Sequence, residues 1–237
     1  MIAQALRTRI ARNLQTVRER IDQALVRSGR AGQAVRLVAV TKSADLEAIR
    51  AMVELGQTDL GESRVAQMVE RAQQLQQAGC AGGVAWHMVG HLQRNKARVA
   101  LDVAAMIHSV DSLRLAEEID HRCEQMGRRV DVLMQVNCSG EAQKFGVAMG
   151  AAMPLAELIS TLGDLNVVGL MTMGPLEGGP DAARRAFARL RELFEEMRHE
   201  KIVSGEFEHL SMGMSQDYEA AVEEGATIVR IGSALFQ

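Results

Sequence analysis

Apolar residues at Leu6, Ile10, Leu14, Val17, Ile21 and Leu25 recur with the 3.6-residue period of a helix that buries one face, and Gly29 marks its end. Beyond Gly29 to Gly32 that period disappears. Val35-Arg36-Leu37-Val38-Ala39-Val40 is instead a nearly continuous apolar run, with the length and composition of a strand covered on both faces. A helical pattern returns from Ala44 to Leu55 through Leu46, Ile49, Met52 and Val53, and Gly56 takes the place favoured for a C-terminal cap. The alternation then repeats. Strands are expected at Thr58 to Leu60, Val84 to Val89, Ala105 to Val110, Val130 to Val136, Val167 to Thr172, Glu208 to Ser211 and Thr227 to Ile231. Helices are expected at Ser63 to Gln77, from a cap at Asp111 or Ser112 through Met126, and at Pro154 to Leu162, Asp181 to Met197 and Gln216 to Glu224.

Strands that alternate with helices form a parallel sheet, and eight such units can close so that no edge is exposed. The pattern therefore favours an α/β fold, a (β/α)8 TIM barrel. An open doubly wound sheet uses the same local pattern, so periodicity does not separate the two. The stretch richest in glycine and proline, Gly174 to Pro180, falls where a strand-to-helix loop belongs and divides nothing. One domain over residues 1–237 is expected, with the first helix as part of it.

Composition acts mainly by exclusion. A net charge of −3 provides no positive field to hold nucleic acid. Cys80, Cys123 and Cys138 form no C-x-x-C pair and read as reduced thiols of a cytoplasmic protein. No apolar run approaches the roughly 18 to 20 residues that span a bilayer, so neither a membrane nor secretion is expected. Arg7, Arg9, Arg12 and Arg18 precede the first acid, Glu19, as in an organelle transit peptide. The helical period runs well past them, which assigns them to the fold. The methionines are spread through core-like positions and read as packing.

The chain has 23 arginines but four lysines, Lys42, Lys96, Lys144 and Lys201. Lys42 directly follows the first strand, at the carboxyl end where barrels build their sites. Desolvation there would lower its pKa and make it a nucleophile, although a strand-end lysine can also snorkel to water. Lys144, in a glycine-containing loop after the fifth strand, is the rival amine and is expected to be solvated. After the last two strands, Ser211, Ser215, Gly232 and Ser233 offer small residues and hydroxyls through which backbone N–H groups can hold an anion such as phosphate. Arg230 closes an apolar strand and needs a partner, either a structural acid or the ligand. His87 and His91 stand four apart as in zinc helices, but Met88 replaces the glutamate base and Gly90 suits a strand end, so no metal site is expected.

Taken together in order, Leu37-Val38-Ala39-Val40-Thr41-Lys42, Gly61-Glu62, Trp86-His87-Met88-Val89-Gly90-His91-Leu92-Gln93-Arg94-Asn95-Lys96, Val168-Gly169-Leu170-Met171-Thr172-Met173, Leu210-Ser211-Met212-Gly213-Met214-Ser215 and Val229-Arg230-Ile231-Gly232 resemble the pyridoxal phosphate homeostasis (YggS/PROSC) family. Its barrel is similar to the N-terminal domain of alanine racemase, the fold type III of pyridoxal 5'-phosphate (PLP) proteins. The resemblance implies a single domain with Lys42 in a Schiff base to PLP and the phosphate held by Gly232, Ser233 and nearby serines. It places Arg230 on the pyridine nitrogen, where it would leave that nitrogen unprotonated and weaken the ring as an electron sink. It also implies a role in vitamin B6 balance rather than turnover, with PLP itself and apo PLP enzymes as partners of a monomer. Ser43-Ala44-Asp45 and Ser63 depart from the family pattern, as does the end at Phe236-Gln237, where the family continues for a few residues.

Two rival functions are an amino-acid racemase of fold type III and a Schiff-base aldolase acting on a sugar phosphate. A two-base racemase needs an acid/base opposite the lysine, which alanine racemase draws from an added domain. The single tyrosine here, Tyr218, is expected in the helix after the seventh strand, which favours binding over catalysis.

Overall fold

The computed structural model describes residues 2–141, 143–175, 177–203 and 205–237, with the side chains of residues 2 and 3 excepted. In chain order its elements are α1 (Ile2–Arg27), β1 (Arg36–Val40), α2 (Leu46–Glu54), β2 (Asp59–Glu62), α3 (Val65–Gln77), β3 (Ala85–Met88), α4 (Ala97–Leu101), β4 (Ala104–Val110) and α5 (Leu113–Met126). They continue with β5 (Val130–Asn137), β6 (Val147–Ala148), α6 (Met149–Ile159), β7 (Leu165–Met171), α7 (Gly179–His199), β8 (His209–Ser211), α8 (Tyr218–Glu223), β9 (Ile228–Ile231) and α9 (Ser233–Phe236).

All the pairings are parallel, and two of them decide the architecture. β1 pairs with β9, and β4 pairs with β5, so the eight long strands form a closed ring. The open-sheet alternative is thereby ruled out. The two-residue β6 only extends the end of β5.

Two expectations need correction. Pro154 does not open its helix but lies inside α6, which begins at Met149. Ala152, Ala156 and Ile159 are buried along one face, and that packing outweighs the backbone hydrogen bond that proline cannot make. The connection between β3 and β4, left without structure by the periodicity, carries α4.

The core has two parts. Between strands and helices lies a shell that includes Ile10, Leu14 and Val17 of α1 and Phe187, Leu190 and Phe194 of α7. Each such side chain contributes at most about 1.5–3 kcal/mol by burial. Inside the ring sits a smaller cluster of Val38, Met106, Leu133, Met171 and Ile228. Close approach explains one glycine: a Cβ on Gly90 would lie 2.3 Å from the carbonyl oxygen of Ser63, so the chain leaving β3 can pass β2 only without a side chain. Helix α1 packs on α2, α8 and α9. Its Asn13 donates to the carbonyl oxygens of Leu235 (3.1 Å) and Gln237 (2.8 Å), which fixes the far end of α9.

Candidate functional site

Neighbouring strands β1 and β9 run in register, Val38 beside Arg230 and Ala39 beside Ile231, so the turns that leave them share one end of the barrel. Lys42 stands two residues beyond β1, on a turn held by α3. Arg71 donates to the carbonyl oxygens of Thr41 (2.5 Å) and Ala44 (2.9 Å), on either side of the lysine, and Gln67 donates to that of Lys42 itself at 3.3 Å. The Arg71 guanidinium is in turn paired with the fully buried Glu62 carboxylate at the end of β2. A buried charge pair of this kind persists because its remaining donors and acceptors are satisfied, here by the turn it fixes.

The two amines lie opposite to expectation. Lys42 is exposed, because β1 ends at Val40 and the turn carries the side chain to the rim; the expected desolvation is not observed. Lys144, expected to be solvated, has a side chain only 9% exposed. Its loop folds back onto the barrel through Gln135, which donates to the Phe145 carbonyl oxygen at 3.2 Å. The Lys144 ammonium donates to the Gly174 carbonyl oxygen at 2.6 Å and pairs with Glu141 at 2.5 Å. An amine held as an ammonium in an ion pair is a poor nucleophile. Among the described residues, no ion pair involves Lys42.

After β9 the chain turns at Gly232 into α9. The N–H groups of Gly232 and Ala234 both donate to the Ser215 hydroxyl oxygen, at 3.2 and 3.3 Å. Two backbone donors thus converge on one oxygen beside the first turn of a helix, with Ser233 exposed next to them. A Cβ on Gly232 would lie 3.3 Å from the Val40 carbonyl oxygen, which shows how closely this turn approaches the end of β1.

Arg230 points into the ring and is 4% exposed. It donates to the Ser211 hydroxyl oxygen at 2.5 Å and to the Thr172 carbonyl oxygen at 2.8 Å. Burial pulls its guanidinium down to about 10, while Asp217 favours its charged form. Ser211 is therefore set apart from the cradle of Ser215, Gly232 and Ser233: it is fully buried and serves Arg230. His87 and His91 diverge. His87 turns into the ring toward Asp59 and His108, whereas His91 stacks on Phe145 with centroids 3.9 Å apart and planes at 11°.

Sequence reasoning missed Arg71, Thr172, His108 and Asp217. Arg71 had a signal, since it shares the buried face of α3 with Met68 and Leu75. Asp217 had none. Its carboxyl is pushed up by burial, against the Met214 N–H at 2.6 Å and the charges of Arg230 and Lys144.

The model of the alanine racemase N-terminal domain family matches residues 7–237, nearly the whole of this closed parallel barrel. Within that class, the chain is 39% identical over 223 residues to the pyridoxal phosphate homeostasis protein of Aquifex aeolicus (strain VF5), covering 94% of this chain and 95% of that one. The chain belongs to the pyridoxal phosphate homeostasis protein family. Among solved structures it is similar to PipY of Synechococcus elongatus PCC7942 with PLP bound, with a TM-score of 0.83 and 31% identity over 96% of this chain and 100% of PipY. Alanine racemase of Corynebacterium glutamicum shares the fold alone, at TM-score 0.70 and 16% identity over 96% of this chain and 60% of the racemase.

Proposed function

We propose that the protein binds PLP at the carboxyl mouth of the barrel, through a Schiff base on Lys42, and serves its balance in the cytoplasm without efficient turnover. One observation carries this reading: the fixed Lys42 turn, the Gly232 cradle and Arg230 all belong to the ends of β1 and β9, adjacent strands in register. The name of the Aquifex relative and the PLP bound to PipY support it.

The residues suit the group chemically. An aldehyde needs an amine outside any ion pair, which Lys42 offers and Lys144 does not. A phosphate needs convergent donors, and the N–H groups of Gly232 and Ala234 already meet on one oxygen, with the Ser215 and Ser233 hydroxyls beside them. Arg230, held by Ser211 and the Thr172 carbonyl, is the residue for the ring nitrogen. The bound cofactor supplies an electron sink, and a guanidinium at its nitrogen keeps that sink weak.

The racemase alternative lacks its second acid/base. Tyr218 is buried and packs in the hydrophobic shell between strands and helices. A cytoplasmic, monomeric carrier that passes PLP to apo enzymes agrees with the unpaired thiols of Cys80, Cys123 and Cys138. Among the described residues, no helix is long and apolar enough to cross a membrane.

The test is borohydride reduction of the PLP-treated protein and then peptide mapping. The pyridoxyl group is expected on Lys42; its appearance on Lys144, or no visible absorbance band on adding PLP, overturns the assignment. Racemization of alanine at ordinary enzyme rates would contradict the absence of turnover.

A further inference from the structure

A single file of side chains crosses the barrel interior from one end to the other. Asp59, the first residue of β2, meets His87 Nε2 at 3.0 Å. His87 Nδ1 meets His108 Nε2 at 2.9 Å, and His108 Nδ1 meets the Ser211 hydroxyl at 2.9 Å. The Ser211 oxygen accepts from Arg230, which also donates to the Thr172 carbonyl oxygen at the opposite end of the barrel. His87 is 2% exposed, and His108 and Ser211 are fully buried.

The protons in this file can be placed by counting donors and acceptors. The ends are fixed: Arg230 can only donate, and an ionised Asp59 can only accept. Four bonds in one direction satisfy every member. Arg230 donates to Ser211, the Ser211 hydroxyl to His108 Nδ1, His108 Nε2–H to His87 Nδ1, and His87 Nε2–H to Asp59. The reverse order makes His87 an imidazolium and has His108 donate to Ser211. The serine oxygen would then receive two protons, and its own would have no acceptor among its bonded partners. The surroundings oppose a positive charge on His108 as well: burial first, and then the charges of Arg230 and Arg36, hold it well below the ordinary histidine range.

We infer that Asp59, His87 and His108 form a positioning relay that locks the Ser211 hydroxyl as an acceptor for Arg230 and so fixes the guanidinium presented to the cofactor ring. The relay rests on the reading of Arg230 as the ring-nitrogen contact. His108 acts through Ser211 and Arg230 and touches no cofactor itself. Its role is to prevent the serine proton from turning toward the guanidinium, where it would meet a group with no lone pair.

Two measurements on the full chain test the inference. The first is a two-bond 1H–15N spectrum of the histidine rings without cofactor, between about pH 6 and 8, the range in which an ordinary histidine titrates. The ring proton that His108 carries should sit on Nε2, with His87 Nδ1 accepting it; a proton on His108 Nδ1 overturns the relay. The second is PLP titration of the wild type, His108→Leu and His108→Gln, with folding checked by circular dichroism. The leucine variant should bind about tenfold more weakly, as loss of a buried bond to a charged group implies, and its absorbance band should shift. Glutamine, whose amide accepts at one atom and donates at the other, should restore both affinity and band. A leucine variant indistinguishable from the wild type overturns the inference, and so does a glutamine variant as weak as the leucine one. Arg230→Met separates the two levels: if it leaves affinity and band unchanged, the reading of Arg230 fails even where the tautomers stand.

Discussion

Two consecutive buried residues of β4 differ in their bonding. His108 points into the ring and bonds on both nitrogens, to His87 and to Ser211. Ser109 is buried as well, but its hydroxyl has no hydrogen-bond partner among the described residues. The shell is held mainly by close packing of aliphatic and aromatic side chains. The interior is held by a directed chain of hydrogen bonds, where each polar atom depends on the next. Stability is therefore concentrated in one region and chemistry in the other.

The sharpest break between the regions is expected at the mouth. Lys42→Ala should abolish the visible PLP band completely, whereas Lys144→Ala should keep it, as absorbance spectra of the two variants will show. Next come two substitutions matched in stability but not in function. Phe187→Ala empties a fully buried shell position and should cost about 3–5 kcal/mol in denaturant unfolding. Arg71→Met leaves the Glu62 carboxylate buried without its cation, for a loss of about 3–5 kcal/mol as well. Only the second also frees the carbonyls around Lys42, so it alone should weaken PLP binding measured under folded conditions. Equal binding by the two variants would mean that the turn needs no clamp.

The same division decided what the sequence disclosed. The shell repeats at 3.6 and 2 residues, so the strands at residues 36–40 and 228–231 and the long helices were legible to within a few residues. Lys42, Arg230 and the glycine-serine turn at Gly232 could be placed at the carboxyl end because each directly follows or closes a strand. The closed barrel was expected from the eight strand–helix units and from the family resemblance rather than from periodicity, and it is realised where β4 meets β5 and β1 meets β9. The side-chain environments were not legible. Lys144 reads as a loop residue, and its burial comes from Gly174, 30 residues away. The His87–His108 contact spans 21 residues and the His108–Ser211 contact 103, separations that no local pattern encodes.

A smaller effect should appear on acidification, at the open end of the relay. The Asp59 carboxyl is held below its ordinary value, first by the His87 hydrogen bond and also by the Arg36 charge, with burial opposing. Because the folded-state pKa is the lower one, the unfolded chain takes up the proton first as pH falls. The stabilisation from Asp59 is then complete above the ordinary value of 3.8 and is lost as pH drops through the folded value. Asp59→Asn should accordingly be less stable than the wild type at neutral pH, and the two unfolding curves should converge in acid. A gap that stays constant down to the acid limit would show that the carboxylate charge is not what the relay uses.

The smallest effect, and the one of opposite sign, belongs to Ser109. Ser109→Ala removes a hydroxyl that was stripped of water on folding and gained no protein partner in return, so the change should be neutral or stabilising by up to about 1 kcal/mol. For a chain of this size that corresponds to a rise in Tm of at most about 2–4 °C. Ser211→Ala, equally buried, removes the acceptor of Arg230 and the donor of His108 together, so it should destabilise and weaken PLP binding. Thermal melts of the two variants make the comparison directly. Opposite signs for these two buried serines would show that it is the bonded partner, not burial itself, that decides the alanine effect; a destabilised Ser109→Ala would show that its hydroxyl is not idle.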